Sequence, residues 1–201
     1  EKPIARLVQG TLILGLDKVQ ASFDLLDALF SLGGNAFDTA PNYKLGDCEQ
    51  VLGRWVRERG CREQVVIITK CAHPIEERKR VTPADIASDL SASLARLQMD
   101  YVDILFLHRD DPAVPVEIIV EALNEHVAAG RVRALGASNW THERIEAANE
   151  YAARRGLVRF AVSSPNFSLA EQTGDPWVDC VSIGGPKGRA AREWYARTRM
   201  P

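Results

Sequence analysis

The sequence predicts an α/β fold: a (β/α)8 barrel of the TIM type, truncated after its sixth βα unit, with residues 1–201 forming a single incomplete domain. Three observations point there. Short apolar or β-branched runs alternate with amphipathic segments at intervals of roughly 30 residues, the rhythm of βα units. Polar, reactive side chains stand just past the C-terminal ends of several different runs, where a barrel gathers its working groups. The first strand-to-helix turn, Gly10-Thr11-Leu12-Ile13-Leu14-Gly15, lacks the middle glycine of the G-x-G-x-x-G phosphate loop that a doubly wound sheet would carry there.

The elements follow in order. Residues 6–11 read as a first strand and 18–32 as a helix, with Phe23, Leu26, Ala28 and Phe30 as its apolar surface and Gly33-Gly34 as its stop. A second strand covers 35–39. The second helix, 48–59, sets Val51, Leu52, Trp55 and Val56 at helical spacing before Gly60 ends it. Val65-Val66-Ile67-Ile68-Thr69 is the plainest strand, because an unbroken β-branched run suits a strand buried on both faces. Thr82-Pro83 opens a helix with threonine as N-cap and proline in the first turn, and Ile86, Leu90, Leu94 and Leu97 fall on one side of it. A fourth strand at 103–107 precedes a helix at 115–129 closed by Gly130. A fifth strand at 132–137 precedes a helix at 141–155, capped by Thr141 and stopped by Gly156. The sixth strand covers 159–163, the Pro/Gly-rich stretch 164–188 reads as an irregular loop, and 189–197 as a short helix.

Composition narrows the function classes. At 201 residues and 46% hydrophobic content the chain can bury a sizeable core. Its 25 basic and 27 acidic residues are interspersed for a net charge of −2, which leaves no basic stripe to neutralise phosphates and argues against a nucleic-acid partner. No window approaches the ~18 consecutive apolar residues of a membrane span, and the N-terminus lacks the charged start and apolar core of a signal peptide. A cytoplasmic protein with no membrane partner is the expectation. Cys48, Cys61, Cys71 and Cys180 form no C-x-x-C pair, so reduced thiols are expected and no metal site.

Taken singly, each rim residue has an ordinary explanation: Lys70 as a solvated strand-end lysine, Tyr43 as a loop aromatic, Asp38 as a loop cap, His108 as a core histidine. In a parallel barrel, however, strand ends converge on one mouth, so side chains from three different strands would face each other. Reducing a carbonyl with hydride leaves an alkoxide that must be protonated, which calls for a positioned acid. A tyrosine hydroxyl, with an ordinary pKa near ~10, is weak for that task alone. A neighbouring ammonium such as that of Lys70 favours the tyrosinate, and Asp38 can hold the lysine and balance its charge. His108 can donate a hydrogen bond to the carbonyl oxygen. Elsewhere, the stretch 182–189 lacks the G-K-[ST] ending of a P-loop and loses a donor at Pro186, so it reads as a surface loop. Trp140, Trp177 and Trp194 read as packing residues.

The stretch Gly34-Asn35-Ala36-Phe37-Asp38-Thr39-Ala40-Pro41-Asn42-Tyr43 resembles the G-x-N-x-x-D-T-A-x-x-Y signature of the aldo-keto reductases. Val66-Ile67-Ile68-Thr69-Lys70 is similar to that family's third strand with its lysine, and Asp100-Tyr101-Val102-Asp103-Ile104-Leu105-Phe106-Leu107-His108 to its fourth strand with its histidine. Gly136-Ala137-Ser138-Asn139 resembles the fifth-strand end, where the family's serine and asparagine bind the nicotinamide carboxamide. The resemblance runs from about Arg6 to the end of the chain. It implies reduction of an aldehyde or ketone, a sugar-like one among the candidates, with Tyr43 as proton donor, Lys70 and Asp38 as its tuning pair, and His108 as the carbonyl-binding residue. NADPH is the implied cofactor, with NADH as the alternative. Where the family commonly has a glutamine after the sixth strand, this chain has Val162-Ser163-Ser164-Pro165, so Ser164 takes that place and its shorter side chain would reach the cofactor through a water.

Two other functions fit some of these residues. Lys70 at a barrel strand end would suit a Schiff-base aldolase, although Asp38 and Tyr43 at their spacing disfavour it. A catalytically silent barrel that binds a nicotinamide nucleotide to regulate a partner protein would use the same site. By the resemblance, the missing seventh and eighth units would carry the grip on the adenosine phosphate and pyrophosphate, and the aromatic that stacks on the nicotinamide. An open arc also leaves unpaired strand edges, so instability, aggregation or rescue by association is expected of the 201 residues alone, and a longer gene product with them. The intact mass of the native protein checks this, since a value near 22.2 kDa contradicts it.

Overall fold

A computed structural model describes residues 2–76, 78–170 and 172–201. Among these, six parallel strands lie side by side in chain order: β1 (Gln9–Gly10), β2 (Ala36–Asp38), β3 (Val66–Cys71), β4 (Val102–Leu107), β5 (Val132–Ser138) and β6 (Phe160–Ser164). Each is followed by a helix: α1 (Val19–Ser31), α2 (Asp47–Arg59), α3 (Pro83–Leu97), α4 (Val116–Ala128), α5 (His142–Arg155) and α6 (Arg189–Thr198). The sheet curls so that one face looks into a shared interior and the other onto the helices. This is the alternation of a (β/α)8 barrel carried through six units.

The local signals act as their chemistry dictates. Thr82 caps α3 by accepting a hydrogen bond from the Asp85 amide at 3.2 Å, and Thr141 caps α5 by accepting from the Arg144 amide at 3.3 Å. Helices α2 and α5 both end on a left-handed glycine, Gly60 at φ 61° and Gly156 at φ 67°, where a side chain would be strained. Helix and strand ends lie within two residues of the sequence-predicted bounds with one exception. The first strand, expected over 6–11, is reduced to Gln9–Gly10, which pair with Phe37 and Asp38. Its one neighbour is the three-residue β2, so the remaining backbone has no ladder to join, and Leu7 is left 86% exposed.

The pleat decides where the site falls. Successive side chains of a strand point to opposite faces. Phe37, Ile67, Leu105 and Leu135 are buried in the main core with the helices. Ala36, Val66, Ile68, Ile104 and Phe106 form a second, smaller cluster on the inner face, with Ala134 and Val162 against it. Continuing by twos along β2, β3, β4, β5 and β6, the last inner positions are Asp38, Lys70, His108, Ser138 and Ser164. An apolar floor thus gives way to a polar rim at the C-terminal end of the sheet.

Two buried carboxylates brace this frame. Glu49, on α2 and fully buried, receives the Thr69 hydroxyl of β3 at 2.6 Å and the Arg96 guanidinium of α3 at 2.5 Å. At the opposite end of the strands Asp103 pairs with Lys2 at 3.0 Å and Arg62 at 2.8 Å, and accepts from the Ile67 amide at 2.8 Å. At the β6 edge the Ser163 amide donates to the Pro201 carbonyl at 2.9 Å. No helix among the described residues is long and apolar enough to cross a membrane. Helices α2 and α3 meet at Gly53, where an added Cβ would lie 2.1 Å from the Leu97 carbonyl oxygen. Since that neighbour is backbone, Gly53→Ala is expected to destabilise the fold by about 1–3 kcal/mol, read as a lowered midpoint in chemical denaturation.

Candidate active site

Lys70 is only 4% exposed, and its ammonium has three acceptors: Asp38 Oδ2 at 2.7 Å, the Thr39 carbonyl at 2.9 Å and Tyr43 Oη at 3.1 Å. An ammonium has three N–H donors and no acceptor. All three are therefore engaged, and the Tyr43 oxygen must accept from Lys70. The phenol keeps its own proton for a different partner, on the side away from the lysine. Burial pushes the Asp38 carboxyl above its ordinary value, and the Lys70 charge pulls it back down.

Tyr43 reaches the rim through a tight turn. Asn42 is helical, Lys44 and Leu45 are left-handed at φ 46° and 55°, and Gly46 follows at φ 95°. Left-handed residues other than glycine are uncommon. Ala72 just past β3 and Asn139 just past β5 share the conformation, so the strain gathers at this end of the sheet.

The His108 ring stands edge-on to Tyr43, with centroids 6.2 Å apart, and edge-on to His73 at 4.9 Å. Burial, then the charges of Lys70, His73 and Arg109, push its pKa down to about 2. The ring is neutral at ordinary pH. Its Nδ1 is buried with no hydrogen-bond partner. His73 Nδ1 lies 2.8 Å from the Pro74 carbonyl, and burial lowers its pKa as well.

The structure brings Asp38, Tyr43, Lys70 and His108 together at one rim. Ser138, Asn139 and Ser164 form an adjoining group. The Ser138 hydroxyl donates to the Ser164 carbonyl at 3.2 Å and accepts from Asn139 Nδ2 at 3.1 Å. The same Nδ2 donates to the His108 carbonyl at 3.2 Å. Ser164 enters this network through its backbone, and its residue is exposed. A cavity of about 870 Å³ opens on the inner face beside these groups, lined by Gly10, Asp38, Ile68, Phe106, Val162 and Ser164 among others.

Trp177 departs from the packing role expected of it. Its ring is 43% exposed, and its indole N–H donates to Asn139 Oδ1 at 3.1 Å, alongside the Val181 amide at 3.4 Å. Trp140 and Trp194 are buried as expected. The 182–189 stretch turns its Ile183 and Gly185 carbonyls onto Arg192, at 2.5 and 2.8 Å. Sequence reasoning overlooked His73 and Glu49 and took Trp177 for a packing residue. His73 was the one with a chain-level signal, since it sits three residues beyond Lys70 at the same strand end.

Parallel βα units in chain order, with a polar rim at the strand C-termini, define the class of (β/α) barrel proteins. Within it the chain belongs to the aldo/keto reductase family, whose family model matches residues 6–175. It is similar to aldo-keto reductase YhdN of Bacillus subtilis (strain 168), at 34% identity over 142 residues, covering 69% of this chain and 43% of that protein. It is similar to norsolorinic acid reductase B of Aspergillus parasiticus, at 34% identity over 162 residues, covering 76% and 42%. A putative voltage-gated potassium channel subunit beta of Schizosaccharomyces pombe is 32% identical over 155 residues, covering 75% and 45%. The chain spans less than half the length of these curated relatives.

The depressed pKa of His108 links the site to stability. Unfolding releases an imidazole of ordinary pKa 6.5, so below that value the unfolded chain binds a proton that the folded one excludes. Stability from this group is complete above pH 6.5 and falls with the pH by up to about 1.4 kcal/mol per unit. Denaturation at a series of pH values is expected to show a shallower acid decline in His108→Gln than in the unsubstituted protein.

Proposed function

We propose that this protein reduces an aldehyde or ketone to an alcohol, with NADPH as the hydride source and Tyr43 as the proton donor. The saturation of the Lys70 ammonium supports this most directly, because it turns the Tyr43 oxygen into an acceptor and leaves the hydroxyl proton for a substrate. The neutral His108 ring, donating through Nε2, would suit the carbonyl oxygen of that substrate. As negative charge builds on that oxygen, the proton passes to it from Tyr43, and the adjacent Lys70 ammonium stabilises the phenolate left behind. Asp38 holds the lysine in place and balances its charge before and after the transfer. Family membership and reductase-named relatives support the same chemistry.

A nicotinamide cofactor, when bound, supplies the hydride. Ser138, Asn139 and Ser164 would hold its carboxamide, since a side-chain amide and hydroxyls offer the donors and acceptors that such a group needs. Asn139 Oδ1 is filled by Trp177 and Val181, so binding there exchanges those contacts for the carboxamide's.

The regulatory reading draws on the relative whose name is a putative channel subunit beta. A silent barrel would bind the nucleotide without turnover. The aldolase reading loses support from the geometry, since three oxygens, of Asp38, Thr39 and Tyr43, already surround the Lys70 nitrogen that would have to attack a carbonyl. Turnover of NADPH with a carbonyl panel is expected, and Tyr43→Phe is expected to lower it by about 10²–10⁴-fold while leaving cofactor affinity within a few-fold. Cofactor binding with no turnover by the unsubstituted protein would favour the regulatory reading instead.

A further inference from the structure

Among the described residues, one positive charge at the mouth has no ion-pair partner. The Lys70 ammonium is answered by the Asp38 carboxylate at 2.7 Å, and His73 and His108 are held below the ordinary imidazole value by burial. Arg109 adds a further positive charge. It follows His108 directly, just beyond β4, and is half-buried. Its Nη1 donates to the His108 carbonyl at 2.8 Å, the same carbonyl that Asn139 Nδ2 approaches at 3.2 Å. Those contacts pin the guanidinium at the rim, beside the imidazole that faces the substrate.

Among the described residues, no carboxylate takes up the rest of its donor fork. Arg62, Arg80, Arg96 and Arg144, also partly shielded, each hold one: Asp103, Asp89, Glu49 and Asp110, while Arg131 donates to the Ser91 hydroxyl. Arg192 is spent on two carbonyls. Among the described residues Arg109 makes no ion pair, and its one side-chain hydrogen bond is to a neutral carbonyl. Burial lowers its pKa, and the attractions of Asp179, Cys180 and Tyr43 offset this only in part. A guanidinium that is partly desolvated, fixed in place and short of an anion gains from a planar, bidentate oxyanion.

We propose that Arg109 binds a carboxylate on the substrate, so that the substrate class of this site is a carboxylate-bearing aldehyde or ketone. The proposal rests on the reductase reading above and deepens it. A carboxylate clamped by Arg109 orients the substrate from a point next to His108, which restricts where its carbonyl can lie relative to His108 and Tyr43. The same charge disfavours cationic carbonyl compounds.

The ortho, meta and para formylbenzoates and their methyl esters form matched pairs that differ in the anion. With the unsubstituted protein and NADPH, at least one acid is expected to exceed its ester in kcat/KM by about tenfold or more, mainly through KM. In Arg109→Met the ratio for that pair is expected to fall to about one, and Arg109→Lys to retain part of it. The ratio is insensitive to a general loss of active protein. No preference in the unsubstituted protein, or a preference that survives in Arg109→Met, overturns the proposal. A variant in which acid and ester fall equally, with a shifted pH profile, also overturns it, because Arg109 would then act on Tyr43. Equilibrium binding of the hydroxymethylbenzoate product and its ester to the unsubstituted protein repeats the comparison without a substitution, and equal affinities count against the proposal. If none of the pairs is turned over, the reductase reading itself fails; if all are turned over at equal ratios, only the anion receptor does.

Discussion

Moving an ammonium out of water is costly unless opposite charge and hydrogen bonds offset the lost hydration. At the end of β3 that offset is complete: Lys70 gives one donor to a carboxylate, one to a backbone carbonyl and one to a phenol oxygen. The arrangement fixes more than the lysine. It joins β2, β3 and the turn after β2 at a single atom, and it orients the Tyr43 hydroxyl by exhausting the alternatives. Behind it, Thr69 is tied through Glu49 to Arg96, so the strand that carries Lys70 is anchored to two helices on its outer face. Removing Asp38 from the first group or Arg96 from the second would leave a buried charge without its partner, which is more damaging than losing a surface ion pair.

The two-residue period of a strand divides labour within each βα unit. Inner positions carry small and apolar side chains deep in the arc and polar ones at the rim, while outer positions serve the helices. A register slip of one residue would exchange these faces. In β3 it would point Lys70 at the helices and Cys71 at the mouth. The burial of Ile67 against the helices and Ile68 against the interior opposes such a slip, so the apolar pattern that builds the core also aims the site.

Much of this was legible in the chain. Threonine caps at Thr82 and Thr141, terminal glycines, and the β-branched run at Val65 to Thr69 are local signals, and local hydrogen bonds realise them. Asp38, Lys70 and His108 could be read because strand ends in a parallel sheet share one rim. The brevity of β1 could not, since it depends on how little of β2 is available as a neighbour. Nor could the contact between Trp177 and Asn139, which spans 38 residues and arises from an irregular loop without periodicity. Glu49 looks like an ordinary first-turn helix acid until packing encloses it. Arg109 shows the same limit: its place after His108 is visible in the chain, whereas its having no ion pair among the described residues depends on where acidic side chains have folded.

The turn that delivers Tyr43 is built from backbone choices more than from contacts. Lys44 and Leu45 hold left-handed conformations in succession, and the Leu45 side chain projects into solvent at 93% exposure, so it adds little packing to hold that shape. The phenol's position is thus written in torsion angles between the two fixed ends of β2 and α2. Evolutionary drift at this loop should be lenient towards exchanged side chains, particularly towards glycine, and severe towards an inserted or deleted residue, which would rotate the aromatic off its lysine even with every neighbour unchanged.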